Sequence, residues 1–173
     1  MTATRYALFA TPLGTCAIAW GERGVVRTFL PEPSAEAVRA RLLRRVPDGQ
    51  EAEPADDVRA VIAAITRLLA GEPVDLTWVR LADETVPEFH RHVYASARAI
   101  PPGGTSTYGG IAHALGDVGL ARQVGEALGR NPFPIVVPCH RVLAAGGRTG
   151  GFSARGGTET KMQLLRIEGA VLL

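Results

Sequence analysis

Three short runs of β-forming residues fill the first thirty positions of this chain, and beyond them the apolar spacing turns helical. Tyr6-Ala7-Leu8-Phe9 gives way to Thr11-Pro12-Leu13-Gly14. Thr15-Cys16-Ala17-Ile18-Ala19-Trp20 gives way to Gly21-Glu22-Arg23-Gly24, and Val25-Val26-Arg27-Thr28-Phe29 stops at Pro31 and Pro33. Connections this short join antiparallel neighbours, because a parallel return needs a crossover of about a dozen residues or more. The spacing predicts a meander, and Cys16, inside its second strand, reads as structural.

Two helices follow. Ser34 is placed to cap the first, which runs to about Val46 and ends at Pro47-Asp48-Gly49. In the second, Val58, Val61, Ile62, Ile65, Leu68 and Leu69 form one amphipathic stripe, and Gly71 is placed to stop it. Residues 74–79 offer a further short strand. This half holds no catalytic constellation and reads as a scaffold. A boundary is expected across residues 81–87, where Leu81-Ala82-Asp83-Glu84-Thr85 is polar and Pro87 can open a helix. Phe89, Val93, Tyr94, Ala97 and Ile100 give that helix its apolar face, and Pro101-Pro102-Gly103-Gly104 ends it. The expected fold is an α/β N-terminal domain with a small antiparallel sheet over 1–85, followed by a mainly α C-terminal domain over 86–173.

Of 173 residues, 46% are hydrophobic, which is too many for a disordered chain. No apolar run approaches the roughly 18 residues of a membrane span, and the first residues lack the apolar core of a secretory signal. Two cysteines in unlike settings make no disulfide framework. A soluble, cytoplasmic protein of a reducing compartment is expected. No Cys-x-x-Cys occurs, and His90 and His92 would point to different faces of a helix, so no metal site is expected. Residues 1–85 carry ten Arg against twelve acidic residues, a net of −2. Residues 86–173 carry eight Arg and Lys161 against five acidic residues, a net of +4. The basic half suits a phosphate backbone without requiring one.

That half also carries the chemistry. A thiol attacks as thiolate, and its ordinary pKa is roughly 8.5. In Pro138-Cys139-His140-Arg141 the thiol has a histidine beside it and an arginine after it, so Cys139 is expected to titrate below an ordinary thiol. The alternative is a buried small hydrophobe. Upstream, a helix capped near Ser106-Thr107 runs through Ile111, Ala112 and Leu115. Gly116-Asp117-Val118-Gly119 then turns the chain into a second helix from about Leu120 to Leu128, with Gly129 as its stop. This spacing fits a helix-turn-helix. Arg122 and Gln123 sit at the start of the second helix, and Ala121, Gly125 and Ala127 are small. A groove-reading helix needs both features, while a plain helical hairpin needs neither.

Taken in order, Ile100-Pro101-Pro102-Gly103, Thr107-Tyr108, Ala121-Arg122-x-Val124-Gly125, Arg130-Asn131-Pro132, Ile135-Val136-Val137-Pro138-Cys139-His140-Arg141-Val142, Lys161, Leu164-Leu165 and Glu168-Gly169 resemble the 6-O-alkylguanine-DNA alkyltransferase family. The resemblance covers about Phe89 to Gly169. It implies direct-reversal DNA repair: irreversible, stoichiometric transfer of an alkyl group from the exocyclic oxygen of guanine, and of alkylated thymine, to Cys139 after nucleotide flipping. It further implies that His140 acts as base through a water, that Glu168 orients His140, and that Asn131 ties the recognition helix to the active-site segment. Tyr108 would crowd the target phosphate and hydrogen-bond the departing base. Arg122 would replace the flipped nucleotide, with Ala121, Gln123, Gly125 and Arg141 beside it at the DNA. Phe152, Ser153 and Val142 would line the substrate pocket. The implied partner is double-stranded DNA held through its minor groove, with no cofactor, no metal and no membrane, by a monomer.

Gln123 stands where many family members carry Ala, and Phe152 where Tyr is frequent. The loop over 150–157, rich in Gly and Ala, looks slightly long and is expected to govern tolerance of bulky groups. A lesion binder without transfer would share Tyr108 and Arg122, although such proteins lack the cysteine. An unrelated Cys-His hydrolase is the third reading.

Overall fold

The structure, a computed structural model, describes residues 3–148, 150–152 and 156–170. Strands β1 (Arg5–Thr11), β2 (Gly14–Gly21) and β3 (Gly24–Phe29) form the meander. Arg5 lies opposite Trp20 and Thr11 opposite Gly14. The β2–β3 register shifts between Ala19 and Trp20. A fourth strand, β4 (Gln50–Glu51), runs parallel to β1, so the sheet is mixed with order β3-β2-β1-β4 rather than purely antiparallel. Its two polar residues carry no periodicity. Backbone bonds pair it with β1, from Gln50 N to Thr4 O and from Ala52 N to Tyr6 O, both 3.0 Å.

Helix α1 (Ala35–Arg45) starts where Ser34 Oγ accepts the Ala37 N–H at 3.1 Å. Its Val38 and Leu42 pack with Tyr6, Ala17, Ala19 and Phe29. Helix α2 (Asp56–Leu69) buries Val58, Val61, Ile65, Leu68 and Leu69, as the stripe requires. The expected strand over 74–79 does not form. Asp75 Oδ1 accepts the Thr77 N–H and Leu76 O accepts the Val79 N–H, each at 3.1 Å, and these local bonds make turns. Leu81 instead makes an isolated parallel bridge to Val25.

The chain divides into two compact units, Met1–Asp83 with Pro132–Val136, and Glu84–Asn131 with Val137–Leu173. The first unit thus recruits five residues that directly precede the Cys139 motif, where Thr28 donates from N to Pro132 O (3.1 Å) and from Oγ1 to Pro134 O (2.7 Å). Ile135 in this segment has φ +76, a conformation that costs a β-branched residue about 1–3 kcal/mol. Its buried side chain and the two Thr28 bonds offset that cost.

In the second unit lie helices α3 (Glu88–Arg98), α4 (Tyr108–Ala114), α5 (Ala121–Gly129) and α6 (Thr158–Ile167). A two-stranded parallel ladder joins β5 (Ser106–Thr107) to β6 (Val142–Leu143). Thr107 Oγ1 caps α4 through the Gly110 N–H (2.9 Å). Asp117 Oδ1 accepts the Gly119 N–H (2.8 Å) and turns the chain into a single 3-10 turn, Val118–Leu120, that feeds α5. This is the helix-turn-helix. Tyr94 Oη of α3 donates to Ala127 O at 2.7 Å and fixes α5 in place. Ala127 is therefore a core residue and not part of a groove-facing surface. Gly129 closes α5 as its last helical residue and takes no left-handed stop.

Candidate active site

Cys139 opens a 3-10 turn, Cys139–Arg141, closed by the Arg141 N–H on Pro138 O at 2.9 Å. Asn131, two residues past α5, donates from Nδ2 to Val137 O at 2.9 Å and also hydrogen-bonds the Cys139 side chain. One amide thus couples the end of the helix to the cysteine.

His140 is 1% exposed, and its Nε2 lies 2.9 Å from Glu168 Oε2. The carboxylate can only accept, so Nε2 carries the proton and Nδ1 holds the free lone pair. Nδ1 is buried and has no hydrogen-bond partner. Burial holds the imidazole below its usual pKa against the pull of Glu168, which leaves it neutral and basic. Arg141 grips the same carboxylate through Nε to Oε1 (2.9 Å) and Nη2 to Oε2 (2.8 Å), while Nη1 donates to Ile100 O (2.7 Å). Burial alone would raise Glu168, but Arg141 and His140 outweigh it and hold the carboxyl at about 2.

Two expectations change here. Arg141 is buried, with three bonds inside the protein, so it organises Glu168 and is not presented to DNA. Cys139 is 8% exposed, and burial raises its pKa above an ordinary thiol. Asn131, the Lys161 charge and the backbone of Cys139 and His140 pull the other way without overcoming burial. A neutral His140 lends the sulfur no charge, so it can lower the barrier only by taking the proton.

Lys161 was quoted in the sequence motif without a role. Its side chain is buried, and Nζ donates to Val142 O (2.7 Å) and Gly151 O (3.4 Å) and lies 5.7 Å from the Tyr108 ring centroid. It hydrogen-bonds carbonyls, and the charge it responds to is that of Cys139. Burial lowers its pKa to about 8, and Cys139 raises it in return. The signal available beforehand was composition: Lys161 is the single lysine among nineteen basic residues. Arginine keeps its proton when buried, whereas lysine is compact and shifts readily.

Cys139 faces a cavity of about 350 Å³. Tyr108, Leu128 and Phe152 wall it, with the backbones of Gly125, Gly129 and Gly151. Burial, and then the nearby Cys139, raise Tyr108, so its hydroxyl keeps its proton. Val142 lines no part of this space, since its side chain is wholly buried and its carbonyl serves Lys161. Ser153 lies outside the described residues. Arg122 (89% exposed) and Gln123 stand on the outer face of α5, with Arg122 Nε 3.7 Å from Glu126 Oε1, and Ala121 is half-buried beside them. Among the described residues no cluster of three His, Cys, Asp or Glu could hold a metal, and no helix is long and apolar enough to cross a membrane.

The buried pair makes the fold acid-sensitive. Glu168 has a folded pKa near 2, below its unfolded value of roughly 4.3, so its contribution is complete above about pH 4.3 and is lost as pH falls through 2. That amounts to about 3 kcal/mol. His140 is also depressed, and the unfolded chain gains its proton below about 6.5, which acts in the same direction. Unfolding free energy measured by urea titration should fall steadily below pH 6. In Glu168→Gln the step between about 4.3 and 2 should be missing.

A model of the 6-O-methylguanine DNA methyltransferase DNA-binding domain matches residues 88–170. Over most of the chain there is similarity to the methylated-DNA–protein-cysteine methyltransferase of Methanosarcina acetivorans, 34% identical over 95% of this chain and 98% of that one. The protein of the same name from Salmonella typhimurium is 35% identical, over 95% of each. Among solved structures, Mycobacterium tuberculosis OGT in complex with DNA superposes with a TM-score of 0.77 at 30% identity, over 95% and 93% of the two chains. The O6-methylguanine-DNA methyltransferase of Pyrococcus kodakaraensis gives 0.72 at 28%, over 96% and 99%.

Proposed function

Because the chain belongs to the methylated-DNA–protein-cysteine methyltransferase family, enzymes of DNA repair by alkyl transfer, we propose that Cys139 is its alkyl acceptor and is consumed in the reaction. The observation that carries this reading is the cavity at Cys139, backed by a neutral, carboxylate-oriented His140 whose buried Nδ1 is unoccupied.

The sulfur proton passes, through a water, to His140 Nδ1 as the thiolate forms beside Lys161. The sulfur pair attacks the alkyl carbon, a C–S bond forms, and the C–O bond breaks with its electrons on the guanine oxygen. Tyr108, which keeps its proton, donates a hydrogen bond to the ring as negative charge develops there. The proton held on His140 returns through water to the guanine anion, which leaves as a neutral base while His140 is restored. The product is a thioether that no residue of this site can cleave, so one molecule repairs one lesion. The substrates are alkylated guanine and, by the same geometry, alkylated thymine. The lesion reaches the cavity by flipping, because the stacked oxygen is closed to in-line attack. Arg122, Gln123, Ala121 and Gly125 present α5 to the minor groove, and the protein acts as a monomer. Intact-protein mass after exposure to methylated duplex tests the reading. One added methyl per chain is expected, while unchanged mass with retained binding would indicate a lesion binder, and multiple turnovers of a small ester a hydrolase.

Arg122 should act in flipping more than in encounter. Arg122→Ala removes one exposed cation, so the salt slope of duplex binding should fall by about one unit at most. Single-turnover repair of duplex should drop further than affinity does. Free alkylated guanine has no stack to open and should be repaired at the wild-type rate. Equal losses on both substrates would place Arg122 in support of the pocket instead.

A further inference from the structure

Glycine inside a helix needs a reason, because alanine there is more stable. Several glycines of this unit have one in the protein itself. A Cβ on Gly110 would lie 2.8 Å from Ser106 Oγ. Gly150 has φ +71 and a Cβ there would sit 2.6 Å from Tyr108 Oη, and Gly156 has φ +85. Gly125 and Gly129 have none. Both lie within α5, neither takes a positive φ, and a Cβ at either meets nothing within 4 Å. They are four residues apart, on one face of the helix. That face is a wall of the cavity that contains Cys139.

We infer that Gly125 and Gly129 set the size limit of the transferred group: their missing side chains leave a trough along α5 that receives the outer part of alkyl groups larger than methyl. The inference rests on the reading of Cys139 as alkyl acceptor. Gly151 of the loop also lines the cavity and a Cβ there meets nothing within 4 Å, but only the α5 glycines carry a helical cost. Residues 153–155 of the loop lie outside the described residues. Gly150 is fixed by its own backbone and by Tyr108, so it cannot be traded for size. Leu128 and Phe152 line the same cavity, so its chemistry is apolar and suits a benzyl or longer alkyl group.

The test compares Gly125→Ala, Gly129→Ala and the double variant with wild type. Single-turnover rates are measured on one duplex carrying either O6-methylguanine or O6-benzylguanine. Approach of α5 to the DNA is common to both lesions and cancels in their ratio. The benzyl-to-methyl ratio should fall at least tenfold in the double variant, and free O6-benzylguanine, which needs no groove, should show the same loss. The melting temperature should equal or exceed that of wild type. An unchanged ratio, or equal loss on both lesions, would overturn the inference and assign these glycines to the approach of DNA. A lowered melting temperature would overturn its premise that the protein does not need them. Failure of wild type to take either group onto Cys139 would instead defeat the reading beneath it.

Discussion

Cys139→Ser will bind alkylated duplex and take up no alkyl group, with a loss in transfer rate of about 10⁴-fold or more. The hydroxyl occupies nearly the same space, so the turn over 139–141 and the Asn131 link survive. What disappears is an acid that a neutral imidazole can deprotonate. Even sulfur is raised by burial here, and a serine hydroxyl in the same place lies far beyond reach of His140. Cys16→Ala should transfer normally, since Cys16 is 1% exposed within β2 and burial pushes its thiol to about 11 against a weak contact with Thr11. Peptide mapping after reaction decides the matter, and an alkyl group on Cys16 would sink the assignment.

The two cysteines also show how far the sequence could be read. The opposite roles proposed for them follow from neighbours in the chain, a β run for one and a histidine for the other. The sign of the Cys139 shift did not follow, because it depends on burial by residues distant in sequence. The same holds for Arg141 and Val142. Adjacent to the cysteine, they read as DNA and pocket residues. Yet Glu168, 27 positions later, draws Arg141 inward, and the Val142 side chain faces the core.

Elements with a period were legible for the matching reason. The α2 stripe, the Ser34 and Thr107 caps and the meander are local patterns that the structure keeps. Strands β4, β5 and β6 are two residues each and exist only because a distant backbone lies beside them. The recruitment of 132–136 to the first unit was invisible as well. An Ile with positive φ leaves no mark on composition, and Thr28 makes its bonds to carbonyls that any residue could supply. Lys161 was legible only as an oddity of usage.

That lysine yields the last prediction, in which stability and activity move in opposite directions. Lys161→Met removes a buried ammonium whose pKa has fallen to about 8. Its folded value lies below its unfolded value of roughly 10.4, so holding the charge costs about 3 kcal/mol at neutral pH, relieved as pH rises through 8. Against this stand hydrogen bonds to Val142 O and Gly151 O, worth about 1 kcal/mol each. The variant should therefore be as stable as wild type or about 1 kcal/mol more stable. Transfer should slow, because the thiolate loses its counter-charge. At an effective dielectric near 20, one nearby counter-charge is worth on the order of 3 kcal/mol, or ~10²-fold. The pH profile separates this role from simple packing. With His140 as base, the reacting form is thiol, neutral imidazole and ammonium together. It persists from the depressed His140 value up to about 8, so wild-type transfer should be flat through neutral pH and fall above 8. In Lys161→Met the rate should be uniformly low, with no fall at 8. A variant that keeps the alkaline fall, or that loses stability and rate together, would reduce Lys161 to a packing residue and return the burden of thiolate formation to His140 alone.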